Sequence, residues 1–200
     1  GSSGGSSAGT SGSATASGSS ATSGKDSLIM GYTKEPDTIA PGADAKTNAQ
    51  MVVAILHDCL VGKDPADQSV IVPSISDEWS FNEDGTVLTM HIRDDIKFHD
   101  GTPLTMDDIL FSLSYATQQG LNASGASILQ SWEDAGDNNL KLTLAYPYKP
   151  ILQILATPGF SIISKATYEK CEAEGSNFGM LENGTGAYKL VSWTTGDRMV

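Results

Sequence analysis

Residues 77–112 decide the fold, and they read DEWSFNEDGTVLTMHIRDDIKFHDGTPLTMDDILFS. Apolar and polar side chains alternate over residues 88–92, which is the period of a strand with one buried face. Just before this run, residues 82–85 read NEDG, a turn in which glycine supplies the positive φ that a tight hairpin requires. The pattern therefore predicts a β-hairpin over residues 80–93.

A helix start follows the hairpin. Thr105 can accept a bond from the amide of Asp108, whose side chain can return one to Thr105, as in a capping box. Leu104 and Ile109 have the spacing of a hydrophobic staple across the same boundary. We expect a helix that begins after Thr105 and ends at Gly120. The hairpin and this helix should share one core, made of Trp79, Phe81, Leu88, Met90, Ile92, Phe98, Ile109 and Leu113.

The remaining sequence alternates between strand and helix patterns. Before the first hairpin, it predicts a strand at 27–33 and a helix from Thr47 or Asn48 through Leu60, which Gly62 stops. After the helix that ends at Gly120, it predicts a hairpin with arms at 128–133 and 140–146, a helix at 150–155 and a strand at 160–163. A helix capped by Ser164 then runs to about Glu174, and a strand follows at 188–193. This mixture predicts a mixed α/β (α+β) fold.

The N-terminus has a different composition from the rest. Residues 1–24 contain only Gly, Ser, Ala and Thr, which cannot bury enough apolar surface to offset the entropy of ordering the backbone. We interpret residues 1–26 as a disordered tether, with a linker left by cloning as the alternative. The sequence begins without an initiator Met or an apolar signal segment, so for an exported protein we expect the signal to have been removed.

Charge and hydropathy exclude several functions. The formal net charge is −12, which argues against nucleic acid and against an anionic membrane surface as partners. No run of about 18 apolar residues is present that could span a membrane. The acidity by itself is best explained by solubility and does not establish a cationic ligand.

Catalytic and metal-binding patterns are missing from the sequence. None of His57, His91 and His99 has a predicted partner beside it, and we expect His91 to be exposed and His99 to serve a turn. The run GTG at 184–186 lacks the Lys-Ser/Thr of a phosphate loop. We therefore predict no enzyme activity, no cofactor and no metal site.

The two cysteines, Cys59 and Cys171, form no CxxC motif. Cys59 follows the apolar phase of the first predicted helix, so we interpret it as a buried thiol. A disulfide between the two cysteines is not deducible from the sequence and stays open.

Residues 77–112 closely resemble the family 5 extracytoplasmic solute-binding proteins of ABC importers, which bind oligopeptides, dipeptides, nickel complexes and some sugars. The shared pattern is a Trp strand, an Asp-Gly turn, a strand that ends in Arg, the run KFHDGTP at 97–103, and an Asp-capped helix with Phe-Ser. Glu35-Pro36 and the run GTGAY at 184–188 match further landmarks in the expected order. The chain departs from the pattern at Ile39-Ala40, where Leu-Asp is usual, and at Ala187, where Pro is usual.

The resemblance implies a two-lobed, periplasmic-binding-protein-like fold of which this chain is an N-terminal fragment. Residues 27–47 and 181–200 would belong to an incomplete subdomain of the large lobe, and residues 48–180 to an inserted α+β subdomain. The second lobe would lie outside these residues.

The same resemblance implies a function and a site. The chain would capture a solute, expected to be a peptide, and deliver it to ABC permease subunits as an extracytoplasmic monomer, either periplasmic or lipid-anchored at the cell surface. Its ligand-binding residues would be Lys34, Glu35, Pro36, Asp37 and Thr38, in the loop after the first strand. The alternatives are acidic side chains that receive an ammonium group, a loop backbone that pairs with an extended peptide, or a Pro36 that only ends the strand beside solvated acids. Other functions left open are a truncated, non-binding interaction module and a binder of nickel complexes or oligosaccharides.

Overall fold

The computed structural model describes residues 29–31, 34–180 and 183–200. The chain divides into two compact units, Gly1–Gly31 and Tyr32–Val200. In the first unit only residues 29–31 are described, and they form neither helix nor strand. The predicted tether at 1–26 and most of the predicted strand at 27–33 lie outside the described residues.

A four-stranded antiparallel sheet forms the centre of the second unit. Its strands, in the spatial order β3-β4-β6-β5, are β3 (Ser76–Phe81), β4 (Val87–Ile92), β5 (Leu129–Asp134) and β6 (Asn139–Leu144). Both predicted hairpins are confirmed, because β3 pairs with β4 and β5 pairs with β6. Two smaller antiparallel pairs join β1 (Val61–Lys63) to β2 (Ile71–Pro73), and β7 (Trp193–Thr194) to β8 (Arg198–Met199).

Five α-helices and three short 3-10 helices complete the described unit. The α-helices are α1 (Thr47–Leu56), α2 (Met106–Gln118), α3 (Ala123–Ala126), α4 (Ile151–Leu155) and α5 (Lys165–Glu174). The 3-10 helices span Gly120–Asn122, Pro158–Phe160 and Phe178–Met180. The largest apolar cluster contains the inward faces of β4, β6 and α2, where Leu88, Leu142 and Ile109 are fully buried.

The predicted shared core is largely confirmed. Five of its expected members belong to the main cluster, namely Leu88, Met90, Ile92, Ile109 and Leu113. Trp79 and Phe81 are partly buried and pack against that cluster, whereas Phe98 is buried but lies outside it.

The helix caps follow local chemistry. Thr105 and Asp108 form the predicted capping box at the start of α2. Ser164 caps α5 by accepting a bond from the amide of Thr167 at 3.2 Å. Gly175 ends α5 in the left-handed conformation, at φ 63°, where a glycine carries no Cβ penalty.

Three expected elements were wrong in extent. Helix α1 ends at Leu56, because His57 is already extended and the following chain pairs as a bridge at Cys59 and then as β1. Of the apolar residues assigned to the last turn of the helix, Leu60 therefore belongs to the main core from the segment just before β1, and Cys59 pairs with Ser161. Residues 160–163 form the end of a 3-10 turn and one bridging residue, Ser161, and the predicted strand at 188–193 begins only at Trp193.

Two smaller apolar clusters lie beside the main core. One joins Ile39 to α1 and to partly buried residues near β7 and β8. The other surrounds Ile163 and Phe178 with the aromatic rings of Phe111, Tyr115 and Tyr168. The division into residues 27–47 with 181–200 and residues 48–180 stays a prediction.

Candidate functional site

Residues 34–38 form an irregular loop that leads towards α1. Lys34 and Asp37 are exposed, Glu35 and Thr38 are partly exposed, and Pro36 is buried. The loop turns inward at Ile39, which is fully buried in the cluster on α1. A buried residue in the middle and a second one at the end fix the path of this loop on the surface.

The start of the loop is bound from two sides. The carbonyl of Lys34 accepts a hydrogen bond from the side chain of Asn48, in the first turn of α1. The carboxylate of Glu35 accepts a hydrogen bond from the backbone amide of Gly196, between β7 and β8. Glu35 therefore already has a donor inside the unit.

Asp37 belongs to a small ionic group. Its carboxylate pairs with the ammonium group of Lys46, which also lies 3.6 Å from a carboxylate oxygen of Asp44. The backbone amide of Asp37 donates to Asp44 at 3.3 Å, and that of Lys46 donates to Asp44 at 2.9 Å. The hydrogen bond from Lys46 holds the pKa of Asp37 below its usual value, and the same bond raises the pKa of Lys46. The side chains of Lys46 and Asp37 are 38% and 65% exposed, so solvent screens this ion pair. The pair therefore orients the loop more than it stabilises the fold.

The end of the loop is bound to the 3-10 turn at Phe178–Met180. Thr38 donates from Oγ1 to the carbonyl of Gly179 at 3.4 Å, and the amide of Ile39 donates to the same carbonyl at 3.0 Å. The hydroxyl of Thr38 also accepts from the amide of Ala40 at 3.1 Å. A side chain at Gly179 would overlap Thr38, so the close approach requires glycine at that position.

Sequence reasoning missed the residues that hold this loop. They are Asp44, Lys46, Asn48, Gly179 and Gly196. Asp44 and Lys46 follow the loop within a few residues. A carboxylate close to a lysine in the sequence could therefore have predicted the ionic group with Asp37. Gly196 is 161 residues from Glu35, and no local pattern relates the two.

The residues considered for chemistry are not brought together. His91 pairs with Asp77 at 2.7 Å on the exposed face of the hairpin. No disulfide joins Cys59 to Cys171, and burial raises the pKa of the Cys59 thiol to about 12. Cys59 as a whole residue is only partly buried. Such a thiol stays protonated at neutral pH and is a poor nucleophile or metal ligand. Among residues 29–31, 34–180 and 183–200, no group of three or more His, Cys, Asp or Glu residues is arranged to hold a metal ion.

Two open clefts lie on the described surface, and residues 34–38 line neither. One, of about 550 Å³, lies at the β3–β4 turn and includes Trp79, Phe81 and Pro147. The other, of about 430 Å³, lies between His99 and α5. In the part of the chain that the structure describes, every helix is too short or too polar to cross a bilayer.

Comparison with known proteins shows the fold and the family of this chain. Residues 70–200 match the family described as "Bacterial extracellular solute-binding proteins, family 5 Middle". The probable D,D-dipeptide-binding periplasmic protein DdpA of Escherichia coli (strain K12) is 29% identical over 182 residues, which are 88% of this chain and 35% of the relative. The chain thus spans about a third of that relative's length.

Solved structures show the same fold. The periplasmic binding protein DppA of Helicobacter pylori, in complex with the peptide STSA, has a TM-score of 0.75 at 21% identity, covering 83% of this chain and 36% of its own. AgaA of A. tumefacien R10, in complex with agropinic acid, has a TM-score of 0.74 at 27% identity, covering 83% of this chain and 33% of its own. The fold is therefore part of a lobe of a periplasmic-binding-protein-like architecture, and the chain belongs to family 5 of the bacterial extracellular solute-binding proteins, a family of binding proteins and not of enzymes.

Proposed function

We propose that this chain supplies one wall of the ligand cleft of an extracytoplasmic solute-binding protein for an ABC importer, with residues 34–38 as the ligand-facing loop. Its family membership supports a role in solute capture. The observation that carries the proposal is that three separate segments hold the loop, through Asn48, Gly179 and Gly196. A loop held in this way loses little further freedom when a ligand binds, which favours affinity.

The loop backbone, and not its acidic side chains, is the recognition element in this proposal. Glu35 and Asp37 already have donors inside the unit, in Gly196 and Lys46. In contrast, the carbonyls of Pro36 and Asp37 and the amide of Thr38 form no hydrogen bond with any other described residue. Two backbone carbonyls and one amide that have no partner in the described chain can bond to the backbone of a bound peptide.

Peptides are the ligand class that best fits such a backbone. The name of the E. coli relative refers to a D,D-dipeptide, and the H. pylori structure contains the peptide STSA. AgaA contains agropinic acid, so the family fold also accepts a solute that is not a peptide. Nickel complexes and oligosaccharides therefore belong in the same titration as competing ligands.

A single wall leaves a ligand exposed on its other side, whereas small-molecule sites enclose most of their ligand. We expect no measurable peptide binding by residues 1–200 alone, and binding by a longer protein that adds the second lobe. Calorimetric titration of both proteins with a tripeptide tests this expectation. Micromolar binding by the 200-residue chain alone would contradict it, and would place a complete site inside this chain.

Modified peptides separate the backbone from the side chains in the longer protein. Methylation of one peptide amide should weaken binding about tenfold or more, because it removes a backbone hydrogen bond. Glu35→Gln and Asp37→Asn should change the affinity by less than about threefold, similar to the control Asp84→Asn at the exposed β3–β4 turn. A large loss in Asp37→Asn together with a large loss on peptide N-acetylation would show instead that Asp37 receives the ammonium group.

Location and partner extend the same proposal. A binding protein of this family would act outside the cytoplasm and pass its ligand to permease subunits in the membrane, as a monomer in the periplasm or on a lipid anchor at the cell surface. The family description and the word periplasmic in the names of its relatives support the location. Cell fractionation and uptake of labelled peptide in a deletion strain test it, and retention of normal uptake would remove the importer from the proposal.

A further inference from the structure

His99 binds a distant backbone segment through both ring nitrogens. Its Nε2 lies 2.8 Å from the carbonyl oxygen of Gly186, and its Nδ1 accepts a hydrogen bond from the amide of Gly184 at 3.2 Å. The backbone amide of His99 donates to the carbonyl of Gly184 at 2.9 Å. This half-buried histidine thus makes three bonds to residues 184–186, which we term the return segment.

These partners determine the protonation state of the ring. The amide of Gly184 can only donate, so Nδ1 must accept and carry no proton. The carbonyl of Gly186 can only accept, so Nε2 must carry the proton and donate. The contacts are therefore satisfied by one species alone, the neutral Nε2–H tautomer of His99.

The return segment also makes contacts that do not involve His99. The amide of Gly186 donates to the carbonyl of Leu56 at 2.9 Å, and Thr185 accepts from the amide of Asp58 at 3.2 Å. A side chain at Gly184 or Gly186 would overlap the backbone at the end of α1. The segment is therefore bound both by the end of α1 and by the imidazole of His99.

We propose that His99 is a pH-sensitive clamp on the return segment, closed while its ring is neutral and opened when Nδ1 is protonated. A proton on Nδ1 removes the acceptor of the Gly184 amide and sets two N–H groups against each other. Because Leu56 and Asp58 still bind the segment, opening releases it from the turn that carries His99 without detaching it from the fold.

Several charged groups surround the ring. Asp100 lies in the same turn, and Asp58 faces it from the end of α1, next to the buried ring of His57. Lys170 and Lys189 line the same cleft as the ring. Burial raises the pKa of Asp58, so this carboxylate also gains a proton early as the pH falls.

The return segment continues towards Gly196, whose amide binds Glu35. Opening of the clamp would therefore loosen one support of the ligand-facing loop, a consequence that rests on the proposed function. The clamp itself needs no ligand, so the tests below can fail or succeed independently of solute binding.

Imidazole nitrogen NMR on the 200-residue chain tests the clamp directly. The chain has only three histidines, so the signals of the His99 ring can be assigned. At about pH 8 the ring of His99 should be the Nε2–H tautomer, and an Nδ1–H tautomer would overturn the proposal. Protection of the Gly184 amide from hydrogen exchange, relative to an unstructured peptide at the same pH, should fall about tenfold as His99 gains its proton, which is the effect of one lost hydrogen bond. Protection that does not follow the His99 titration would also overturn the proposal.

Two variants make the test specific. His99→Asn places a carbonyl oxygen near the position of Nδ1 and does not titrate, so protection of Gly184 should become independent of pH. His91→Asn changes an exposed histidine that pairs with Asp77, and it should leave the response of Gly184 unchanged. An unchanged pH response in His99→Asn, or its loss in His91→Asn, would refute the clamp. Should His99→Asn fail to fold, the tautomer and the exchange profile of the wild-type protein still decide the question.

Discussion

Replacement of Asp108 should destabilise the protein more than a surface helix cap normally does. Asp108 is only 8% exposed. One carboxylate oxygen accepts bonds from the amide and the hydroxyl of Thr105, at 3.0 and 2.6 Å, to complete the capping box of α2. The other oxygen accepts from the amide of Lys165 at 2.9 Å, at the first residue of α5. One side chain therefore bonds to the first turns of two helices, although Asp108 and Lys165 are 57 residues apart in the chain.

The expected cost follows from those bonds. Loss of an N-cap interaction costs about 0.5–2 kcal/mol, and loss of a buried hydrogen bond to a charged group costs about 1.5–3 kcal/mol. Asp108→Ala should therefore lower the free energy of unfolding by about 2–5 kcal/mol, summed from these two ranges. Thr105→Ala breaks only the capping box, so about 0.5–2 kcal/mol is expected. The difference between the two variants measures the bond to Lys165.

Urea denaturation of the two single variants and of the double variant measures these quantities. The double variant should be less destabilised than the sum of the singles, since Thr105 and Asp108 share bonds. Hydrogen exchange should show faster opening of the Lys165 amide in Asp108→Ala but not in Thr105→Ala. Equal destabilisation by the two single variants, with the Lys165 amide unchanged in both, would show that Asp108 does not link the helices.

Three further outcomes test the fold and its charges. Leu113→Ala should cost about 2–5 kcal/mol by urea denaturation, because this side chain is 1% exposed in the main core; a cost below about 0.5 kcal/mol, typical of surface sites, would contradict that burial. Gly184→Ala should cost about 1–3 kcal/mol, because its Cβ would overlap the backbone of α1. Its control Gly120→Ala, at a position with open space, should stay within about 0.5 kcal/mol, and equal effects would argue against the close approach. The pair of His91 and Asp77 raises the pKa of the imidazole and lowers that of the carboxylate through their hydrogen bond. The pair stabilises the fold fully between the unfolded-state pKa values of Asp, about 3.9, and His, about 6.5. This stabilisation is lost as the pH falls through the lowered pKa of Asp77, and it is also lost as the pH rises through the raised pKa of His91. Chemical denaturation of His91→Asn and wild type should therefore differ more near pH 6 than near pH 9, and a constant difference would show that the pair does not act.

Elements with local signals were predictable from the sequence. The β3–β4 hairpin follows from alternation and a glycine turn, and the start of α2 follows from Thr105 and Asp108, because all of these contacts lie within a few residues. The end of α1 was not predictable in the same way. The apolar residues Cys59 and Leu60 fit a helix by spacing, yet Cys59 pairs with Ser161 and the chain then continues into the β1–β2 ladder at Val61. Tertiary pairing overrode local propensity at that position.

Resemblance singled out residues 34–38 as the loop that we propose faces the ligand, but the distant contacts that hold this loop were not visible in the sequence. The same limit applies to each polar side chain with a local role. Asp108 is a helix cap by spacing and also binds Lys165; His99 is a turn residue by spacing and also binds the return segment. A carboxylate has two oxygens and an imidazole two nitrogens, so a local contact uses only part of the bonding capacity of the group. When such a group is buried, its remaining capacity must also be used, and the partner then comes from a segment that local spacing does not identify. Glu35 differs because it is partly exposed. Water can bond to the carboxylate lone pairs that the amide of Gly196 leaves unused. For that reason the partners of Asp108 should be more sensitive to mutation than those of Glu35, although the two were equally invisible to sequence reasoning.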